Sequence, residues 1–280
     1  MTHTSATSFA TETSSAERKA RKGTTPSSWQ HNWFVLTSLV SKDFKLKYRR
    51  SLLGVLWSVL NPLLMMVVLA AVFSYMFRFS IDHYPLYLIL GTVWFDFMSR
   101  ATSSAMSSII ESQSLIKKIR IEKMLFPIEK VFFELVNTAI SLVAVIAVMV
   151  YYHVFPTPWA LLCLPFILLC TFIFSVGIGL ILSALSVFFR DVMHLWGVVI
   201  TAWTYLTPIF YPVDMLDSWM KNIMQFNPMY HFINYLRSIM MWNTNPGILE
   251  SAVCLGMALV VFALGMFIFR RTEKKFILYI

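Results

Sequence analysis

Six long apolar stretches occupy most of this 280-residue chain, and they restrict its fold more than any other feature. Each stretch is close to or longer than the ~20 residues that an α-helix needs to cross ~30 Å of hydrocarbon. Because hydrocarbon offers no water to backbone N–H and C=O groups, long apolar stretches of this kind are expected to be helices. We therefore predict an all-α membrane protein with six transmembrane helices per subunit. The stretches cover residues 52–77, 85–108, 127–152, 159–187, 193–211 and 248–269.

Composition supports this fold class. Hydrophobic residues make up 58% of the chain and charged residues 13%, whereas a soluble domain carries about 25% charged residues. The mean hydropathy of +0.68 points the same way.

The basic residues follow the apolar stretches in a strongly asymmetric pattern. If the N-terminus is cytoplasmic, all but four of the 23 Lys and Arg residues lie in segments on the cytoplasmic side. The four exceptions are Arg78, Arg100, Lys221 and Arg237. The positive-inside rule then places both termini in the cytoplasm. The net charge of +9 is explained by topology and by contact with anionic lipid headgroups, so it gives no reason to expect a nucleic-acid partner.

Two segments precede the first stretch. Residues 1–30 are rich in Ser, Thr and Ala and contain no apolar run of the signal-peptide type, so we predict a disordered cytoplasmic tail. Residues 31–50 are predicted to form an amphipathic helix lying in the cytoplasmic headgroup plane. The alternative is a solvent-exposed amphipathic helix. Its apolar face repeats every three or four residues, at Trp33, Leu36, Val40 and Phe44.

Two further segments are predicted to be helical without crossing the membrane. Residues 111–126 form a short basic cytoplasmic segment, which serves either as a topology determinant or as a docking site for a partner. Residues 212–247 contain two short apolar periodicities separated by Asn227 and Pro228. A structureless loop of this length is uncommon, so we predict two short helices that dip into the outer leaflet and return. Two helices lying flat on the outer surface are the alternative.

Motifs for enzymatic chemistry are absent from the sequence. There is no G-x-x-x-x-G-K-[ST] phosphate loop, so ATP hydrolysis is not expected on this chain. The six histidines are scattered, and the three cysteines lie within apolar stretches without metal-ligand spacing. The chain is predicted to have no catalytic residues, no metal site and no cofactor of its own.

One charged pair and a group of aromatic residues are the candidates for a pathway. Asp96 and Arg100 are four residues apart in the second stretch, so they share a helix face and can pair. They either line or brace a translocation path, or Arg100 reaches toward the inner headgroups while Asp96 lies near the outer boundary. The aromatic residues near the outer ends form an interfacial belt or stack on sugar rings.

Several strings in the chain resemble those of type-2 ABC exporter permeases that carry polysaccharides. The resemblance covers residues 33–270 in order and does not include the Asp96–Arg100 pair. Between the lysines and Phe126-Pro127, residues 120–124 depart from the family pattern. The strings are Lys45–Gly54 with Trp57, Asn61 and Pro62; Leu115–Lys118 followed by Phe126-Pro127; Phe189–Asp191; Thr207–Pro212; Asn227–Met229; and Arg237.

The resemblance implies a type-2 ABC transmembrane domain over residues 31–280. That domain would form a homodimer in the bacterial cytoplasmic membrane, bound to two copies of a separate ATPase that holds ATP and Mg²⁺. It would export a lipid-linked glycan of the O-antigen kind, with teichoic acid, or a drug or small lipid, as the alternatives. A membrane-embedded glycan transferase is a rival from another class.

The resemblance also assigns regions to roles. Residues 31–50 and 111–126 would contact the ATPase, residues 213–243 would form outer gate helices, and the first and fifth stretches would line the channel. The predicted coupling residues are Lys45, Lys47, Arg49, Leu115, Lys117, Lys118 and Arg120. The predicted channel and gate residues are Trp57, Asp96, Arg100, Trp203, Tyr205, Phe210, Tyr211 and Tyr230.

Overall fold

The computed structural model describes residues 28–49, 51–77, 81–118 and 121–279. The predicted tail is therefore almost wholly outside the described residues, and so is the predicted coupling residue Arg120. Within the described part the protein is all-helical, as predicted. The helices are α1 (Ser28–Tyr48), α2 (Trp57–Phe77), α3 (Tyr84–Glu111), α4 (Gln113–Lys118), α5 (Leu125–Tyr151), α6 (Pro158–Phe188), α7 (Val192–Leu206), α8 (Ser218–Met224), α9 (Pro228–Met240), α10 (Ile248–Thr272) and α11 (Phe276–Tyr279).

Each of the six apolar stretches contains one helix of 15 residues or more, and the largest differences from the predicted bounds lie at the start of the first stretch, where α2 begins at Trp57, and at the end of the fifth. The fifth stretch was expected to continue to residue 211, but α7 ends at Leu206. Pro208 disfavours helical geometry at the residue before it, which explains the early end. Within the predicted coupling segment 111–126, the six-residue α4 is the one separate helix of the described residues; α3 ends at Glu111 and α5 begins at Leu125.

Four helical segments of the described chain are long and apolar enough to cross a membrane. They cover Gly54–Tyr75, Leu125–Tyr151, Pro158–Phe188 and Ile248–Lys275. The 15-residue α7 is also apolar but shorter. The chain is therefore a multi-pass membrane protein with four to five apolar membrane-spanning helices, and a count of six stays a prediction.

Helix α3 is the most enclosed helix of the bundle and packs against α2, α5, α6, α7 and α9. Leu86, Trp94 and Met98 have no accessible surface. A helix with protein on most sides needs less apolar character than one that faces lipid. This explains how α3 accommodates polar side chains, such as Thr102 and Ser108, that are themselves fully buried.

The most extensive helix pair is α6 with α10, and glycines set its spacing. A Cβ atom added at Gly265 would lie 2.2 Å from the backbone oxygen of Gly177. Small residues let helix backbones approach closely where lipid supplies no hydrophobic driving force. By contrast, α2 and α7 leave much of their apolar surface uncovered in the single chain: Leu64, Val67 and Val198 are each more than half exposed.

Candidate functional site

A non-helical segment that joins α7 to the short helices is held by side chains from other parts of the bundle. We call residues 207–212 the tethered segment. The Arg237 guanidinium donates through Nη1 to the oxygen of Pro208 (2.9 Å) and through Nη2 to the oxygen of Ile209 (3.1 Å). The Tyr84 hydroxyl donates to the oxygen of Phe210 at 2.6 Å. Backbone carbonyls that lack helical partners are thus satisfied by protein side chains.

A second tyrosine completes these contacts. The Tyr87 hydroxyl lies 3.1 Å from the oxygen of Pro208 and 2.9 Å from that of Tyr211. Its backbone oxygen accepts from Arg237 Nη2 at 3.1 Å. Its ring centroid is 3.3 Å from Arg237 Cζ, within cation–π distance.

Arg237 is the centre of this arrangement. Its side chain is 3% exposed, and no carboxylate pairs with it among the described residues. Burial lowers the pKa of Arg237 to about 10, which leaves the guanidinium charged near neutral pH. Gly91 provides the necessary room, since a Cβ there would lie 2.6 Å from Nη2. Donation from a charged group to carbonyls contributes more than a neutral hydrogen bond does.

Asn227 connects the start of α9 to the end of α7. Its Oδ1 accepts from the backbone N–H of Met229 (3.1 Å), which caps the helix, and from Trp203 Nε1 (2.9 Å). Its Nδ2 donates to Thr207 Oγ1 at 3.0 Å. One side chain therefore fixes the tethered segment to the helix that carries Arg237.

The structure brings four of the six predicted aromatic residues together at this site. Phe210 stacks on Phe73 with ring centroids 5.4 Å apart, and its ring lies 6.1 Å from that of Tyr205. Tyr211 donates from its hydroxyl to the oxygen of Tyr205 at 2.9 Å. Trp203, described above, is the fourth.

Trp57 and Tyr230 lie apart from that group. Trp57 begins α2, sixteen residues before Phe73, which at 1.5 Å per residue is about 24 Å along the helix. It is half exposed. Tyr230 lies on α9 and lines a cavity described below.

The pairing of Asp96 with Arg100, expected from their spacing, is confirmed. Arg100 Nη2 donates to Asp96 Oδ2 at 2.7 Å, and both side chains are about half exposed in the single chain. The pair borders a small cleft between α3, α2 and α5 that is lined by polar groups, including those of Asn137 and Ser141. Its role in a pathway stays a prediction.

At the end of the bundle opposite the tethered segment, polar contacts join α1 to the long helices. Lys130 on α5 forms an ion pair with Asp43 on α1 and lies 3.7 Å from the carboxylate of Glu111 at the end of α3. The Tyr48 hydroxyl donates to Asn137 Oδ1 at 2.8 Å. These contacts connect three helices near the start of α4. These contacts were not predicted from the sequence, in which the opposite charges of Asp43 and Lys130 were the one available signal.

The predicted coupling residues differ in exposure. The side chains of Lys45, Arg49, Lys117 and Lys118 are exposed, whereas Leu115 is partly buried and packs against the core. Lys47 Nζ lies 5.2 Å from the ring centroid of Phe133, and burial lowers the pKa of Lys47 while the carboxylate of Glu134 opposes that shift. The exposed cations are available to a partner, and Leu115 anchors α4 to the bundle.

The chain is similar in sequence to known proteins. Residues 35–241 match the family model described as ABC-2 type transporter. The chain is 31% identical over 244 residues to the O-antigen export system permease protein RfbA of Klebsiella pneumoniae, which covers 86% of this chain and 93% of that protein. It is 30% identical over 207 residues to the protein of the same name from Myxococcus xanthus, covering 73% and 79%. It is 21% identical over 250 residues to the polysialic acid transport protein KpsM of Escherichia coli, covering 86% and 94%.

Proposed function

The chain belongs to the ABC-2 type transporter family, and on that basis we propose that it is the membrane permease of an ATP-driven exporter of an O-antigen-like, lipid-linked polysaccharide. The observation that carries the proposal is the similarity to O-antigen permeases, which extends over 93% of the length of one of them. The bacterial cytoplasmic membrane is the expected location.

We propose six spans per subunit, with α2, α3, α5, α6, α7 and α10 crossing and both termini cytoplasmic. The length and burial of α3 support its inclusion, because a 28-residue helix enclosed by other spans need not be apolar throughout. In this orientation α1 lies at the cytoplasmic surface. Helices α8 and α9 form the outer gate, and the tethered segment lies at the outer end of α7.

A homodimer would cover the exposed apolar faces of α2 and α7. These helices would then line the seam between two subunits, together with the aromatic residues at the outer end of α7. The absence of a phosphate loop from the sequence supports ATP and Mg²⁺ binding on two copies of a partner ATPase.

Coupling would begin at the basic surface of α1 and α4. When ATP closes the ATPase subunits, their contact with these helices would shift α1. The Lys130–Asp43 pair and the bond from Tyr48 to Asn137 would pass that shift to α5. A packed bundle with discrete arrangements is bistable, so a small displacement can open a seam.

The test of the proposed function is depletion of the chain in its own host. We expect surface polysaccharide to fall and the lipid-linked precursor to accumulate on the cytoplasmic side. Intact surface glycan after depletion would instead favour export of a drug or small lipid.

The coupling role has a separate test. The double variant Lys117→Glu, Lys118→Glu should insert into the membrane normally. It should stimulate the ATPase less than the wild type does, because two positive charges on the docking surface become negative. Replacing both residues with Arg is the matched control. ATPase stimulation equal to wild type in the Glu variant would contradict docking at α4.

A further inference from the structure

A large cavity among the described residues lies where the interhelical loops meet, at the end of the bundle remote from α1. We call it the loop cavity. Its volume is ~890 Å³, within the range of small-molecule sites. It is bordered by the turn before α3, the turn after α5, the turn before α8, and α9 with the residues that follow it. Four separate parts of the chain thus form one concave surface.

Some of the polar groups that line this cavity have no partner among the described residues, although Tyr87, Asn243 and the Nη atoms of Arg237 do. Asp82 and Asp214 line it, and neither carboxylate forms an ion pair within the described chain. The side-chain amide of Asn234 makes no hydrogen bond to any described residue. Arg237 also borders the cavity, and its buried Nε–H is without a partner among the described residues. Unpaired polar groups that converge on a cavity are available to a ligand.

Three sharp turns of the backbone meet around the cavity. His83, His153 and Asn243 have φ angles of 56°, 56° and 51°, and they are the non-glycine residues with positive φ in the described chain. All three line the loop cavity. His and Asn adopt this conformation more readily than other non-glycine residues, and His153 ends α5 in it, so these turns shape the cavity without indicating a ligand.

The chemistry of the lining selects the ligand class. Two carboxylates accept hydrogen bonds from hydroxyl groups, an amide both accepts and donates them, and Tyr230 and Trp242 present apolar ring surface. An anionic ligand would meet two carboxylates and one guanidinium whose Nη atoms are already engaged. The described residues contain no group of three or more His, Cys, Asp or Glu suited to a metal ion. An uncharged, hydroxyl-rich ligand such as a sugar fits best.

From this geometry we infer that the loop cavity is a binding subsite for uncharged sugar units of the exported glycan on the outer face. The inference rests on the proposed function. The cavity adjoins the tethered segment, because Pro212 belongs to both and because Tyr87 and Arg237, which line the cavity, hydrogen-bond to the segment. A sugar bound there contacts the residues that hold the segment in place, so the emerging glycan is bound next to its own exit.

The test uses the complete transporter in cells that export their own glycan. Benzoylphenylalanine replaces Trp242 in the cavity, Trp219 on α8 as a matched exposed control, or Tyr205 at the end of α7 as a reference for the pathway. After illumination, glycan attached to the permease is detected by periodate staining. We expect conjugates at the positions of Trp242 and Tyr205 and none at Trp219.

The double variant Asp82→Asn, Asp214→Asn then tests whether binding in the loop cavity causes the conjugates at the position of Trp242. Loss of two charged acceptors should lower the conjugate yield at Trp242 by about tenfold and leave the yield at Tyr205 unchanged. Conjugates at Tyr205 without any at Trp242 would overturn the subsite while the export function stands. Equal yields at Trp242 and Trp219 would also overturn it, as would a yield at Trp242 that is unaffected by the double variant.

The proposed function fails in a distinguishable way. If no position captures glycan and depletion of the chain leaves the surface glycan intact, the export function and the subsite are both wrong. If no position captures glycan although surface glycan depends on the chain, only the subsite is wrong.

Discussion

Replacing Gly91 with Ala should loosen the tethered segment without unfolding the protein. The added Cβ would lie 2.6 Å from Arg237 Nη2 and 3.2 Å from Ile209 Cγ2, closer than ordinary contacts allow. Arg237 can move away only by weakening the bonds from Nη2 to the oxygens of Tyr87 and Ile209. One such charge-assisted bond contributes about 1.5–3 kcal/mol.

The effect on local opening differs from the effect on global stability. In a helix interior Ala is favoured over Gly by about 1 kcal/mol, and this gain is kept when only the tethered segment opens, because α3 stays helical. The opening free energy of residues 207–212 should therefore fall by the full ~1.5–3 kcal/mol. The free energy of global unfolding should fall by only about 0.5–2 kcal/mol, since the helical preference for Ala offsets part of the loss from the weakened Arg237 bond.

Hydrogen exchange in lipid nanodiscs measures this difference. Amide exchange across residues 207–212 should become about ten- to hundredfold faster in Gly91→Ala, since each 1.4 kcal/mol is a factor of ten. The matched control is Gly256→Ala on α10, where an added Cβ meets nothing within 4 Å. Exchange in the segment that equals the control would refute the tether. So would an equal acceleration throughout α3, because it would indicate general unfolding.

Three further substitutions test other contacts. Gly265→Ala places a Cβ 2.2 Å from the oxygen of Gly177, so α6 and α10 must separate. We expect the free energy of reversible unfolding to fall by about 1–3 kcal/mol. No loss in Gly256→Ala would confirm that the close approach of the two helices is the cause. A double-mutant cycle with Asp43→Asn and Lys130→Gln should give a coupling free energy of about 1 kcal/mol, because both side chains are only 18% exposed. A coupling free energy of zero would show that this ion pair does not stabilise the contact between α1 and α5. Asn227→Ala removes the cap of α9 and should lower the stability measured by thermal unfolding by about 1 kcal/mol. Asn227→Asp keeps the acceptor oxygen and should lower it less. Equal losses in the two variants would assign the effect to the bond that Nδ2 donates to Thr207.

Much of the architecture follows from local sequence. Apolar length predicts where the long helices lie, since the hydrocarbon thickness fixes the number of residues. The i, i+4 spacing of Asp96 and Arg100 predicts their ion pair, and the break at Asn227-Pro228 predicts the boundary between the two short helices. These features depend on neighbours within a few residues, so no tertiary information is needed.

Some burial and some partners were not predictable in this way. The complete burial of the polar residues Thr102 and Ser108 on α3 reflects enclosure by neighbouring helices and not the hydropathy of α3. Asp43 and Lys130 are 87 positions apart, and each has other opposite charges nearby in sequence. Only the docking of α1 on α5 selects this pair.

Arg237 shows most clearly which features follow from local sequence and which depend on tertiary packing. The sequence by itself determined that Arg237 lies on a short amphipathic helix that follows a proline-broken apolar stretch. Only the tertiary structure decided that it binds the carbonyls of Pro208, Ile209 and Tyr87, the last 150 positions away in the chain. The physical reason is one of range. Periodicity and hydrocarbon thickness act on consecutive residues, whereas a buried cation is satisfied by whichever carbonyls the packed helices bring within hydrogen-bond distance.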